Sequence, residues 1–280
     1  MTSDPSRTAP ASPTGSAAVP PASEPATAAT LVAGPSTAAT QVATSGPAEA
    51  ATVVTHGIDA LPPGAPKEIG GVRLRRVLGK GAMGEVYLGR HATMDVDVAV
   101  KLMTTAAGDG ERFLQEVRTA AKISHPNVVQ VLNAGTQDGH LFLVMELVTG
   151  GDVAQLVRRD GRVPWRRAVD LMTQAAEGLG AAHRAGIVHR DVKPANFLLT
   201  GPLAGEGRLK VADLGLAKHQ HATDVELTQA GVVMGTPAYM APEQAVDSRR
   251  AGPPADIYAL GVSLFHLLSG RLPYEAPSTT

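Results

Sequence analysis

Apolar residues in the first half of the chain beyond residue 68 recur mainly at strand spacings. Residues 72–77 alternate between apolar and polar positions, as a half-buried strand does. The predicted strands are, in order, residues 72–77, 85–88, 98–101, 128–132 and 141–147. One helix interrupts them over residues 111–123, because Phe113, Leu114 and Val117 recur at intervals of three and four. This half therefore predicts a sheet of five strands with one helix.

The second half of the chain predicts helices around two short strands. A long helix over residues 164–185 places Ala168, Met172, Ala175, Leu179 and His183 on one face. Residues 197–199 and 209–211 are predicted as short strands. Residues 256–269 form a helix that is apolar around almost its whole circumference, so we expect it to be buried at the centre of its lobe.

Residues 1–66 show no such periodicity. They consist mainly of Ala, Pro, Ser, Thr and Gly, and prolines such as Pro20, Pro25 and Pro35 interrupt the apolar runs. A segment that buries no apolar surface cannot offset its chain entropy, so we expect a disordered tail. A passive linker is favoured, with a specific docking segment as the alternative. The first residues are not basic and no apolar stretch follows them, which argues against a secretory signal peptide.

The composition of the chain limits the classes of protein to which it can belong. With 280 residues, 44% of them hydrophobic, the chain is long enough for one large domain or two small ones. A net charge of -1 gives no reason to expect nucleic acid or an anionic membrane as a partner. No apolar run of about 18 residues occurs, so no membrane-spanning helix is predicted. The absence of cysteine excludes disulfides and thiolate nucleophiles and fits a reducing compartment, so we expect a cytoplasmic location.

The candidate chemistry is concentrated in one loop, H-R-D-V-K-P-A-N, at residues 189–196. Asp191 is able to accept a proton from an incoming hydroxyl, and Lys193 is able to neutralise a phosphate during its transfer. Asn196 offers an oxygen to a hard cation such as Mg²⁺. A carboxylate, a cation and a carboxamide within six residues, 191–196, indicate a catalytic loop rather than a polar loop of coincidental composition.

A glycine-rich stretch at residues 79–86 matches G-x-G-x-x-G-x-V at every fixed position. Glycines allow a hairpin backbone to approach phosphate oxygens closely, since no Cβ intervenes. The dinucleotide-binding turn shares the glycine spacing, but there the glycines lead into a helix. Here residues 85–88 are predicted as a second strand, which favours a phosphate-binding hairpin.

Residues 69–274 resemble the catalytic domains of eukaryotic-type serine/threonine protein kinases, especially those found in bacteria. Besides the loop and the glycines, the resemblance rests on V-A-V-K ending at Lys101, D-L-G at residues 213–215 and A-P-E at residues 241–243, all in the family's order. Leu214 stands where kinases usually carry phenylalanine. The resemblance implies an α+β, two-lobed protein-kinase fold, with five strands and one helix in the N-terminal lobe and a mostly helical C-terminal lobe.

The resemblance also implies ATP and Mg²⁺ as cofactors and gives each motif a role. Lys101 would hold the α- and β-phosphates, with Glu116 as its counter-ion. Asp213 and Asn196 would hold Mg²⁺, while Asp191 and Lys193 would act on the hydroxyl and the transferring phosphoryl group. The aspartate that opens the last predicted helix, Asp256, would brace the catalytic loop.

By the same resemblance the nucleotide lies in a cleft beside the hinge. Glu146 and Val148 would contact adenine through backbone groups. The expected nucleotide-binding residues are Leu78, Gly79, Lys80, Gly81, Ala82, Met83, Gly84, Glu85, Val86, Ala99, Lys101, Glu146 and Val148. Thr228, in the stretch that resembles an activation loop, is the candidate phosphosite, because Arg190 would supply the cation that a phosphate there needs.

We therefore expect three regions: a tail at 1–66, a kinase N-terminal lobe with the hinge at 67–148, and a partial C-terminal lobe at 149–280. Kinase domains continue beyond the Asp256 helix and supply an arginine for the glutamate of A-P-E, and Glu243 has no such partner here. The C-terminal lobe is accordingly expected to be incomplete, with an apolar helix left partly uncovered.

The functional hypothesis is transfer of the γ-phosphate of ATP to Ser or Thr hydroxyls of protein substrates, with self-association as a route to autophosphorylation. The alternative from another class is a nucleotide-binding but inactive module that acts as an interaction protein. A third alternative, a dinucleotide-dependent oxidoreductase, rests on the glycine spacing alone.

Overall fold

The computed structural model describes residues 61–81, 84–103, 110–203, 205, 207–214, 237–247 and 251–274. The predictions for residues 1–60, for Ala82 and Met83 in the glycine-rich stretch, and for the candidate phosphosite Thr228 lie outside the described residues.

Six antiparallel strands form the larger sheet of the described chain. In chain order they are β1 Glu68–Ile69, β2 Val72–Gly81, β3 Gly84–His91, β4 Asp97–Met103, β5 Val131–Gln137 and β6 His140–Glu146. Their spatial order is β1-β2-β3-β4-β6-β5. Strand β1 is additional to the five predicted strands, because its two residues are too few for alternation to reveal. It extends the edge of the sheet by pairing Ile69 with Val72. The strand predicted at 128–132 is shifted, since β5 begins only at Val131 and continues to Gln137.

The middle strands β4 and β6 are buried on both faces, which explains their continuous apolar runs. On one face Ala99, Leu143 and Met145 pack with the buried face of helix α1, Gly110–Ala120. On the other face Val100 and its neighbours form a separate apolar cluster. Helix α1 ends at Ala120, three residues before the predicted end at residue 123, and the chain then turns toward β5.

Helices dominate the second half of the described chain. They are α2 Val153–Asp160, α3 Trp165–Arg184, α4 Pro242–Val246 and α5 Pro253–Ser269. Two short strands, β7 Phe197–Leu199 and β8 Leu209–Val211, pair antiparallel beside α3. Helix α2 was not predicted. It is eight residues long, and the Asp152 carboxylate caps it by accepting a hydrogen bond from the Gln155 amide at 2.7 Å.

Helix α3 lies at the centre of this half because its apolar stripe is fully buried. Leu171 and Leu179 pack with Phe197 of β7 and with Leu267 of α5 in one continuous core. Four of the five residues of the predicted stripe, Ala168, Met172, Ala175 and Leu179, are buried, whereas His183 is only partly buried.

Helix α5 is buried on one face only. Ala259, Val262 and Leu267 are buried within the core that includes α3. Ile257 and Phe265, on the opposite face, are 54% and 41% exposed. The sequence predicted burial of the whole helix and also predicted that part of it would be left uncovered, and the second expectation describes the helix correctly. Within the described residues, no helix combines the length and apolarity needed to span a bilayer.

The central position of α3 leads to a stability prediction. Leu179→Ala should lower the free energy of unfolding by roughly 2–5 kcal/mol, because it removes a fully buried side chain and leaves a cavity. Val169→Ala on the same helix is the matched control, since Val169 is 45% exposed and should change stability by less than about 0.5 kcal/mol. Chemical denaturation followed by circular dichroism measures both, and equal effects would contradict the assigned core.

Candidate active site

The catalytic loop predicted at residues 189–196 joins α3 to β7 and ends in a single 3₁₀ turn, Pro194–Asn196. The structure brings its three candidate side chains together. Lys193 Nζ lies 3.1 Å from Asp191 Oδ2, and Asn196 Nδ2 donates to the Asp191 carbonyl at 2.7 Å and to Asp191 Oδ2 at 3.1 Å. A carboxylate, an ammonium and an amide therefore meet at one point.

The Lys193 and Asp191 side chains differ in exposure, and the more exposed of the two is the one that would accept a proton. The Lys193 side chain is 8% exposed, whereas that of Asp191 is 25% exposed and remains open to an incoming hydroxyl. Asn196 uses its side-chain nitrogen Nδ2 on Asp191, so its side-chain oxygen Oδ1 is the atom left for a hard cation.

A buried carboxylate from α5 holds the loop in place. Asp256 is 1% exposed and accepts hydrogen bonds from the His189 amide at 2.9 Å and the Arg190 amide at 2.8 Å. His183 Nε2, on α3, lies 2.7 Å from the same carboxylate. Arg190 has a φ of +66°, a conformation that a non-glycine residue adopts only when its surroundings enforce it. The expected bracing role of Asp256 is therefore supported by three contacts.

Further contacts surround Arg190. Gln244 on α4 donates to its carbonyl, and its guanidinium donates to the Ala251 carbonyl at 3.3 and 3.4 Å. Burial lowers the pKa of the Arg190 guanidinium, while the nearby carboxylates of Glu116 and Asp256 oppose this shift. A partly desolvated guanidinium gains more from an anion than an exposed one, so Arg190 is suited to receive a phosphate.

The ring of His189 connects the catalytic loop to the residue before Asp213. Its Nε2 lies 2.9 Å from the Ala212 carbonyl, and its Nδ1 accepts the Asp191 amide at 3.3 Å. One neutral tautomer satisfies both contacts, with the proton on Nε2. The Ala212 amide in turn donates to the Asn196 carbonyl at 2.9 Å, which fixes Asn196 close to Asp213.

Lys101 pairs with Asp213 and not with Glu116. Its Nζ lies 2.9 Å from Asp213 Oδ2, and the two side chains are 4% and 6% exposed. No ion pair within 4 Å joins Lys101 to Glu116 in the described chain, so the predicted contact is absent from this arrangement. A buried ammonium needs a carboxylate partner, and Asp213 supplies one from a backbone with a φ of +58°. The half-buried Glu116 acts instead on Arg190 through its charge.

The expected adenine-binding residues form one apolar cluster. Leu78, Val86, Ala99 and Val148 are all buried and belong to the same core. Leu198 of β7 packs against this cluster from the other half of the chain, and sequence reasoning missed it. The sequence carried no signal for it, because Phe197, Leu198 and Leu199 are all apolar and only the fold distinguishes the partly buried Leu198 from its buried neighbours.

Ionic contacts stiffen the glycine-rich hairpin. Lys80 Nζ and Glu85 Oε1 are 2.6 Å apart across the β2–β3 pair, and the Tyr87 hydroxyl also donates to the Glu85 carboxylate. The hydrogen bond from Lys80, followed by that from Tyr87, lowers the pKa of the Glu85 carboxyl.

Two glycines of this hairpin, Gly81 and Gly84, differ in the space that a side chain would have. At Gly84, with a φ of +132°, a Cβ would lie 1.8 Å from the Leu102 carbonyl oxygen. At Gly81 a Cβ would meet no atom nearer than 4.0 Å, so space is open there.

The donor groups at this site fit Mg²⁺. Among the described residues, no cluster of three or more His, Asp or Glu side chains forms a protein cage for a metal. Mg²⁺ commonly takes one or two carboxylates and completes its shell with waters and phosphate oxygens. Asp213 would supply a carboxylate, and Asn196, whose backbone carbonyl accepts the Ala212 amide, would supply its side-chain Oδ1.

The chain belongs to the protein kinase domain family, whose model matches residues 72–280. The match begins at the first long strand and includes every motif described above.

The chain is similar to several bacterial proteins that are named serine/threonine-protein kinases. The chain is 39% identical over 213 residues to serine/threonine-protein kinase pkn2 of Myxococcus xanthus, covering 74% of this chain and 25% of the relative. It is 41% identical over 213 residues to serine/threonine-protein kinase PknH of Mycobacterium tuberculosis, covering 75% and 33%. For PknA of the same species the identity is 39% over 214 residues, covering 73% and 48%. The matched part thus spans between a quarter and a half of each relative.

The contacts of Asp256 lead to a second prediction. Asp256→Ala should lower the free energy of unfolding by about 3 kcal/mol or more, because two buried amides and His183 lose their shared acceptor. Hydrogen exchange at the His189 and Arg190 amides should also accelerate. Asp170→Ala is the control, since that carboxylate is 55% exposed in its pair with Arg167. Unchanged exchange at both loop amides would contradict the bracing role.

Proposed function

We propose that this chain is a serine/threonine protein kinase that transfers the γ-phosphate of ATP to hydroxyl groups of protein substrates. The observation that carries the proposal is the convergence of Asp191, Lys193 and Asn196 on one point, held next to the buried Lys101–Asp213 pair. The names of the relatives support the choice of serine and threonine as acceptors.

In this mechanism Asp191 orients the substrate hydroxyl and accepts its proton, since its carboxylate is the partly exposed group of the cluster. Lys193 offsets the charge that develops on the transferring phosphoryl group. Both side chains are positioned before the substrate arrives, because the backbone that carries them is fixed by Asp256.

At the nucleotide end, Lys101 binds the α- and β-phosphates while the apolar cluster around Ala99 and Val148 encloses adenine. Mg²⁺, when bound by Asp213 and Asn196, supplies the positive charge that neutralises the phosphate oxygens. Phosphate oxygens would compete with Asp213 for the Lys101 ammonium, and Glu116 on α1 is the carboxylate that we propose as the counter-ion of Lys101 in the nucleotide-bound state. The roles of these residues are part of the proposal.

The proposal extends to organisation and location. Residues 67–148 and 149–280 correspond to the two kinase lobes and 1–66 to a tail. We place the protein in the cytoplasm, acting on itself through transient self-association as well as on other proteins. Phosphate on Thr228 would be held by Arg190, whose guanidinium is already partly desolvated.

A nucleotide-binding module without transferase activity is the second candidate. The uncovered face of α5 favours it, because the exposed Ile257 and Phe265 side chains leave apolar surface that a partner protein could cover. ATP binding without phosphotransfer would distinguish this candidate from the first.

Replacement of the phosphate-binding lysine tests the enzyme assignment. Lys101→Met should reduce phosphorylation of a Ser- or Thr-containing peptide on the order of a hundredfold or more, because it removes the cation that positions the phosphates. Lys67→Met is the matched control, since Lys67 is exposed before the first long strand. Transfer of radioactive phosphate from ATP measures both, and full activity in Lys101→Met would rule out the site.

Phosphosite mapping tests the regulatory part. After incubation with Mg²⁺ and ATP, the wild-type chain should carry phosphate on Thr228, and Lys101→Met should not. Thr228→Ala should phosphorylate the peptide more slowly, because Arg190 then lacks its anionic partner. Thr223→Ala serves as the control. Phosphate found only at other positions would remove Thr228 from the proposal and leave the transferase assignment intact.

A further inference from the structure

A second charged cluster lies at the start of the hinge, and its side chains have no role in the chemistry assigned above. Lys210 Nζ lies 2.7 Å from Glu146 Oε1, and the two side chains are 17% and 30% exposed. The lysine also donates to the Val128 carbonyl at 3.3 Å. The same Glu146 oxygen accepts the Gln130 amide at 2.7 Å, while the Glu146 amide donates to the Gln130 carbonyl at 3.0 Å.

These contacts join three segments that meet at the nucleotide cleft. Glu146 is the last residue of β6 and begins the hinge, where the proposed function places adenine. Lys210 lies on β8, three residues before Asp213, and is paired in register with Leu198 at the floor of the cleft. Residues 128–130 connect them, because the Val129 amide donates to the Val211 carbonyl at 2.9 Å.

We infer that Lys210 is a positioning residue for ATP, acting through Glu146 on the hinge. This inference rests on the proposed function, because it concerns the same nucleotide site. The pair fixes the first hinge residue relative to the strand that leads to Asp213. The base-binding end and the metal-binding end of the cleft are thereby held at a set separation. Lys210 itself contacts neither the phosphates nor the hydroxyl.

An ordinary surface ion pair contributes little to stability, but the environment of this pair is different. Glu146 Oε1 is shared by an ammonium and a backbone amide, and Lys210 Nζ is shared by a carboxylate and a backbone carbonyl. Without the Lys210 charge, the Glu146 carboxylate and the Val128 carbonyl lose their shared cation. Without the Glu146 charge, the Lys210 ammonium and the Gln130 amide lose their shared anion. The expected result is a displaced hinge rather than a slower chemical step.

The test measures ATP affinity and turnover separately in the full 280-residue chain. Lys210→Met and Glu146→Gln should each raise the dissociation constant for Mg·ATP, determined by calorimetry, about five- to tenfold. KM for ATP should rise in parallel, while kcat at saturating ATP stays within about twofold of wild type. The double variant should bind no more weakly than the weaker single variant, since both remove one interaction. Lys210→Arg should restore most of the affinity.

The matched control is the exposed pair of Arg159 and Asp160, which are 2.6 Å apart at the C-terminal end of α2. Arg159→Met should leave ATP affinity unchanged.

Wild-type affinity in folded Lys210→Met and Glu146→Gln would overturn the inference while leaving the proposed function standing. A fall in kcat with unchanged ATP affinity would overturn it as well. A wild-type chain that binds ATP but transfers no phosphate would refute the transferase, and the affinities would still decide the role of Lys210. A wild-type chain that binds no ATP would overturn both.

Discussion

The arrangement of the candidate site depends on one buried carboxylate, that of Asp256. Loops lack the repeating hydrogen bonds of helices and strands, so a loop keeps one conformation only when other groups satisfy its amides. Asp256 does this for His189 and Arg190 from the first turn of α5, and its contact with His183 ties the same carboxylate to α3. The positive φ of Arg190 persists because these contacts outweigh its cost. Asp191 then follows in a fixed direction.

Opposite charges balance one another throughout the site. Lys101 pairs with Asp213 and Lys193 with Asp191, and three of these four side chains are more than nine-tenths buried. Burying a lone charge costs more than a domain of this size tolerates, so each buried lysine requires an anionic partner in every state of the protein. Under the proposed function, an anionic nucleotide bound with a cation would replace these partners at constant local charge. This explains why the lysine that should bind phosphate is found on Asp213.

Much of the fold and of the site was predictable from the sequence because both follow from local pattern. Periodicity located the central helix α3 and the last helix, and the motif loop placed Asp191, Lys193 and Asn196 together. The misses have physical causes. Strand β1 is too short to show a period, and helix α2 is only slightly over two turns long. The partner of Lys101 depends on the relative placement of two carboxylates, which spacing along the chain does not determine. Lys210 and Leu198 gain their significance only from long-range contacts.

Strand β8 connects the two ends of the cleft, although it is only three residues long. Its backbone pairs with residues 127–129 on one side and with β7 on the other, and Ala212 continues it into contact with His189 and Asn196. A shift of β8 would therefore move Asp213, the floor residue Leu198 and the catalytic loop together. The hinge is joined to this strand through the pair of Glu146 and Lys210, so a shift of β8 would also strain the contact that fixes the first hinge residue.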